Sequence, residues 1–312
     1  MSLNLKKHIL FVFFKIVCIS SFAQDFVLKS LVLDAHTSEK LPFANIMVSG
    51  HSIGTTSDIG GAFTLHLQQH HQDDTLVISY MGYETRKILV SEIPEEGVYL
   101  YPRAIELNTF RFAPGRERNA ALNSFRNRDC FVPYDNSLVS GNYWLPHRPA
   151  EPTIQAMFFT SEFRKNAFIK EVRVHVRSFS TPALFRLRLF QADENNLPGD
   201  DLLSENIIVE SSRRSELIKI DMEKYNLVLP ENGLFIGVEL LIIPENLYYA
   251  VLPDASDSIA LYSPFLSFFP TRNENVVYWI YSGGVWQTQQ LQMTTQIKNQ
   301  GYRPAISLII SE

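Results

Sequence analysis

The chain has 312 residues, 46% of them hydrophobic, and carries 28 basic against 33 acidic side chains. A net charge of −5 argues against nucleic acid as a partner, because phosphate binding draws on an excess of basic groups. The length exceeds a comfortable single β domain and points to two.

Lys6, Lys7 and His8 precede the apolar run Ile9 to Phe14, and Ser21-Phe22-Ala23 stands before Gln24. A basic start, an apolar stretch and small residues at a cleavage point make a secretory signal peptide over residues 1–23. The protein is therefore expected to be exported, to the periplasm, the outer membrane or the cell surface. Lys15 interrupts the apolar stretch, which falls short of the roughly 20 residues of a bilayer span. Lys15-Ile16-Val17 before Cys18 are not the small residues of a lipoprotein signal. Cleavage removes three lysines and no acid, leaving 25 basic against 33 acidic residues, a net charge of −8. Only Cys130 then remains, so an internal disulfide is excluded and stability must come from the core. No transmembrane segment is expected in the mature chain. Leu234 to Ile243 reads as one buried strand.

Residues 25–101 alternate with period two. Ala44, Ile46 and Val48 share one face, Phe63, Leu65 and Leu67 another, and Leu76, Ile78 and Tyr80 a third, the pattern of half-buried strands. Gly50, Gly54, Asp58-Ile59-Gly60-Gly61 and Asp73-Asp74 separate them with turn-forming residues. A small antiparallel sandwich follows.

The residues Val32-Leu33-Asp34, Thr37, Glu39 through Ile46, Gly54 through Asp58, Gly61-Ala62-Phe63 and Ile78 through Thr85 together form a pattern that resembles the carboxypeptidase-like regulatory domain. The resemblance covers residues 26–101 and continues into Ala104-Ile105-Glu106-Leu107. It implies a seven-stranded, transthyretin-like β-sandwich without chemistry of its own, found beside certain carboxypeptidases and at the N-terminus of TonB-dependent outer-membrane receptors. The motif residues are structural: Pro42 fixes φ before a strand, Gly54 opens a hairpin arm, Asp58 to Gly61 turn the chain so that Phe63 enters the core, and Gly82 bends it beside Tyr83. His36-Thr37-Ser38-Glu39 has the spacing of two zinc ligands, but those residues fit the first hairpin turn. His70-His71 with Asp73 and Asp74 suits a divalent metal and reads equally as a polar loop between strands, the reading adopted here. No metal site and no cofactor are expected.

Residues 102–152 lose the alternation and gain Pro102, Pro114, Gly115, Pro133, Gly141, Pro146, Pro149 and Pro152, the marks of a linker. Within it, Glu117 to Arg128, with Leu122 and Phe125 three apart, predicts one short helix over 117–128. Six arginines (103, 111, 116, 118, 126 and 128) form either a solvated face or an attraction for anionic partners. Cys130, flanked by Phe131 and Val132, is expected to be a buried free thiol.

Alternation returns over 153–312. Val172, Val174 and Val176 oppose Arg173, His175 and Arg177; Phe185, Leu187 and Leu189 oppose Arg186 and Arg188. Each reads as a strand with one wet face. With Ile218 to Met222, Leu234 to Ile243, a hairpin across Ser282-Gly283-Gly284 and Ala305 to Ile310, about eight to ten strands suggest a larger, jelly-roll-like sandwich. Phe185 to Leu203 is loosely similar to segments of β-sandwich modules in secreted bacterial proteins.

Sugar recognition needs exposed rings and convergent acceptors. The candidate ligand-binding residues are Tyr248, Tyr249, Asp254, Asp257 and Trp286, with Tyr143, Trp144, Tyr262, Tyr278, Trp279, Tyr281, Asn273 and Glu274 as further rings and acceptors. A single strand must point alternate rings inward, so at most half of Tyr278 to Tyr281 can face out. Asp193 to Asn196 with Asp200-Asp201 could ligate calcium or simply form turns. The sequence contains no Gly-x-Ser-x-Gly elbow, phosphate-cradling glycine loop or His-Glu-x-x-His, so no catalytic residue is assigned. The expected function is binding or scaffolding in the cell envelope, with an envelope protein or a glycan as partner. The alternatives are a carbohydrate-binding accessory protein and a zinc peptidase-associated protein.

Overall fold

The computed structural model describes residues 25–103, 118–133, 151–160, 167–251, 258–291 and 300–311; the signal-peptide reading of 1–23 lies outside them. The first seven strands are β1 (Asp25–Asp34), β2 (Asn45–Val48), β3 (Gly54–Thr56), β4 (Ala62–Gln68), β5 (Thr75–Ser79), β6 (Arg86–Leu89) and β7 (Val98–Leu100). They form one sheet in the order β4-β1-β7 and a second in the order β3-β2-β5-β6. The alternation of β4, with Phe63, Leu65 and Leu67 buried and Thr64 and His66 exposed, aims one face of its sheet at Ile46, Leu76 and Ile78 of the other. Between them lies the core of the seven-stranded sandwich that the resemblance implied.

The rest of the described chain is a second set of strands. These are β8 (Asn119–Leu122), β9 (Ile154–Phe159), β10 (Phe168–Arg177), β11 (Ala183–Ala192), β12 (Pro198–Asp201), β13 (Ile207–Ser211), β14 (Ser215–Asp221) and β15 (Leu234–Leu240). They are followed by β16 (Leu247–Val251), β17 (Ser258–Tyr262), β18 (Phe265–Leu266), β19 (Phe268–Thr271), β20 (Tyr278–Ser282), β21 (Val285–Gln289), β22 (Gly301–Pro304) and β23 (Ile306–Ser311). One large sheet runs β14-β10-β23-β8 with β18 on β10; the other runs β12-β11-β15-β9-β20-β21 with β13 on β11. Val172, Val174 and Val176 from the first meet Phe185, Leu187, Leu189 and Ile236 from the second in a shared core. Two small pairs, β16-β17 and β19-β22, complete the architecture. No helix of the described residues is long and apolar enough to cross a membrane.

Two elements differ from the sequence expectation. The helix placed over 117–128 is instead β8, with a single 3-10 turn at Asn127–Asp129. Ala120 and Leu122 pack on the second core while Asn119 and Ala121 stay exposed, a period of two. The strand pairs with β23, Leu122 opposite Leu308. Asn123 then turns the chain at φ 55° and donates its amide to the Ile306 carbonyl at 2.6 Å, so a free sheet edge outcompetes weak helix propensity. The second correction concerns Leu234 to Ile243: the strand ends at Leu240, and residues 241–243 leave the sheet to pack against the first sandwich.

Candidate functional site

The outward face of the β11-β15-β9-β20-β21 sheet is fixed by register. Phe190, Phe235 and Phe158 stand in one row; Arg188, Gly237, Ala156 and Trp279 in the next; Arg186, Glu239, Ile154, Tyr281 and Trp286 in a third. The small residues of the middle row leave room for large neighbours. A Cβ on Gly237 would lie 2.6 Å from Ile154 Cγ2, which is why a glycine interrupts a fully buried strand. Trp279 meets Phe235 edge-on at 4.9 Å, and Trp286 lies 5.3 Å from both Phe190 and Tyr281. At the hairpin turn, Ser282 Oγ and the Gly283 N–H donate to the two oxygens of buried Glu151, at 2.6 and 2.8 Å.

Beside this aromatic layer lies a buried charge network. Arg186 and Glu239, cross-strand partners, are ion-paired at 3.0 Å with both side chains 1% exposed. Arg188 reaches Glu239 at 2.9 Å and pairs with Asp201. From the first sandwich, the Asn45 amide donates to Glu239 and the Phe43 carbonyl accepts from Arg186. Burial alone would raise the Glu239 carboxyl, but Arg186 and Arg188 outweigh it and hold it below the ordinary carboxylate range. Burial pulls the Arg188 guanidinium down, yet Glu239 and Asp201 together raise it above its ordinary value. Alternation had marked Arg186 and Arg188 as the wet face of a strand. The structure overturns this because the first sandwich covers that face: alternation separates two faces without saying what lies over them.

The contact continues along β3. The Thr56 N–H donates to the Ile242 carbonyl at 3.4 Å, and Ile242 N–H donates to Thr56 Oγ1 at 3.0 Å, so the segment after β15 covers a sheet edge. Phe43 packs with Leu241 and Ile243, and Met81 enters the second core. The motif residues serve this joint as well as their turns. Gly54 comes within 3.1 Å of Pro152 Cδ, and Gly82, at φ +81°, lies 2.5 Å from the Ser204 carbonyl, measured from the Cβ each would carry. Asp58 Oδ1 accepts from the Gly60 and Ala62 N–H groups at 2.8 and 2.9 Å, Gly61 sits at φ +72°, and Phe63 is buried. Leu41-Pro42 leads into Phe43, itself at φ 63°. Tyr83 donates its hydroxyl to Asp34 Oδ2 at 2.6 Å, while the His36 and Thr37 N–H groups donate to Oδ1. The Tyr83 hydroxyl first, then these backbone donors, hold the Asp34 carboxyl down at about 2. His36 to Glu39 thus form the turn expected of them.

The candidate ligand-binding residues that the structure describes lie on two different sheets. Tyr248 lies on β16, half-buried and stacked on Phe179 at 5.2 Å, whereas its neighbour Tyr249 projects outward, 68% exposed. Asn246, wholly buried, fixes this hairpin through bonds to Leu184 and Leu241. Trp286 sits on a different sheet. Asp254 and Asp257 lie outside the described residues, as do Tyr143 and Trp144. Tyr278 points into the core, where burial pushes its phenol up to about 12, while Trp279 and Tyr281 face the aromatic layer, the alternation that strand geometry requires. Tyr262 is half-buried, and Asn273 and Glu274 are exposed. Asp193 Oδ1 caps a turn by accepting from the Asn195 and Leu197 N–H groups, both at 2.8 Å. Cys130 is only partly buried, its thiol 3.6 Å from the Arg126 carbonyl and pushed up to about 12, chiefly by burial. His70 and His71 lie in a 3-10 turn, Gln69–Asp73, with His71 buried.

Comparison with known proteins places a CarboxypepD_reg-like domain at residues 31–110. Over 73 residues the chain is 36% identical to the TonB-dependent receptor SusC of Bacteroides thetaiotaomicron, a match that takes in 23% of this chain and 7% of that receptor. The matched domain is a non-catalytic one, and the chain spans only a small fraction of the receptor's length.

Proposed function

We propose that the protein is an exported, non-catalytic binding or scaffolding component of the cell envelope. In this reading the regulatory-like module is held rigidly against the second sandwich, and the second sandwich meets the partner. The observation that carries the reading is the CarboxypepD_reg-like domain at 31–110, which a TonB-dependent receptor shares; the signal-like N-terminus supports export. The strongly perturbed groups support structural work: Asp34 closes a turn, Glu239 and Arg188 join two sandwiches, and Tyr278 fills a core. Export and envelope association bring an envelope protein or glycan within reach as the partner.

Site-specific photo-crosslinking in intact cells tests this. A crosslinker at exposed Tyr249, Val285 or Ile59 is expected to give a discrete adduct with an envelope component in the membrane fraction. Adducts at none of the three would count against the reading.

Glycan recognition is the second reading, favoured by the outward ring of Tyr249, since sugar C–H faces pack on exposed aromatic surfaces. The whole chain should then be retarded in affinity electrophoresis through the matching polysaccharide, and Tyr249→Ala should abolish the retardation. Binding left unchanged by both Tyr249→Ala and Trp286→Ala would remove it.

A further inference from the structure

We infer that the first sandwich carries a transition-metal site formed by His51, His71 and Asp74. Each residue offers one ligand atom, and the three atoms lie within 4.8 Å of one another. They come from two stretches of chain: His51 from the turn between β2 and β3, and His71 with Asp74 from the 3-10 turn between β4 and β5 and its cap. The sequence showed the histidine pair and the aspartates but gave no reason to bring His51 to them.

The backbone already holds these residues in place. Ser49 N–H donates to the Thr75 carbonyl at 2.8 Å, which ties the His51 turn to the start of β5. Asp74 donates to the His71 carbonyl at 3.1 Å and accepts from Val90 N–H at 3.0 Å. Asp74 Oδ2 is shielded from solvent and makes no hydrogen bond, on a side chain that is 29% exposed, and His51 Nε2 faces it at 3.3 Å. A metal ion there would be met by the carboxylate oxygen and the imidazole nitrogen together. Two imidazoles and one carboxylate suit Zn2+ and its first-row neighbours, and a three-ligand set leaves a coordination position open.

His71 Nδ1 accepts the Gln68 N–H at 3.0 Å, and this contact supplies a distinctive readout. If Nδ1 binds the metal, its lone pair is used. If Nε2 binds, Nδ1 must carry the proton. In either case Gln68 N–H loses its acceptor, one hydrogen bond given up for three metal bonds.

The test is equilibrium dialysis of the full chain, free of any affinity tag, against Zn2+, with amide NMR on the same sample. The expected result is one Zn2+ per chain with micromolar or tighter affinity, at least about tenfold weaker in His51→Ala and in Asp74→Asn, unchanged in His36→Ala, and accompanied by a shift of the Gln68 amide. His51 lies in a surface turn, so His51→Ala is expected to keep the wild-type melting temperature and to report the ligand alone. No retained Zn2+, or retention that His51→Ala and Asp74→Asn leave unchanged, would overturn the site.

Discussion

Glu239 is a carboxylate shut away from water between two guanidinium groups, and that setting decides what its loss does. Glu239→Gln leaves Arg186 and part of Arg188 buried without their counter-charge, so chemical denaturation should show a loss of about 3–5 kcal/mol. Asp34 gives the clearest pH dependence. Its carboxyl sits near 2 in the folded chain against 3.8 in the free state. The stabilisation is therefore complete above 3.8 and is lost as pH falls through 2. Tyr83→Phe removes the largest contribution and should move the Asp34 titration, followed by carboxyl NMR, up toward its ordinary value. Neither interaction is visible in sequence pattern alone. Tyr83 and Asp34 are 49 positions apart and Asn45 and Glu239 are 194 apart, and no local periodicity pairs residues over such distances.

At the scale of single elements, local pattern performs well where a strand's second face meets solvent and fails where something covers it. The β4 alternation and the turn chemistry of Asp58 to Gly61 are legible because they depend on near neighbours. The β8 strand is not, because Ala120 to Leu122 take their conformation from the edge of β23. Arg186 is misread for the same reason: it donates to the Phe43 carbonyl of the other sandwich, whose Asn45 donates to its ion-pair partner Glu239. Gly82 tests how far the joint depends on one position. An alanine there would suffer the positive φ and would meet the Ser204 carbonyl at 2.5 Å. Gly82→Ala should cost about 1–3 kcal/mol and raise amide exchange on both sides of the contact, near Met81 and near Leu203. Wild-type exchange rates in that variant would mean the contact is loose.

At the scale of the whole molecule, a covered sheet edge, a buried ion network and a shared apolar cluster tie the two sandwiches together. Calorimetry of the native chain should give one unfolding transition, and Glu239→Gln should separate it into two. The candidate ligand residues were the least legible part: ring-bearing residues can be counted in a sequence, but whether a ring fills a core, as Tyr278 does, or faces out, as Tyr249 does, depends on which sheet the strand joins. The central proposal, an exported envelope component, is tested most directly by fractionating native cells and determining the N-terminus of the recovered protein. A chain beginning at Gln24 in the periplasmic or outer-membrane fraction is the expected result; an unprocessed chain retained in the cytoplasm would contradict the proposal.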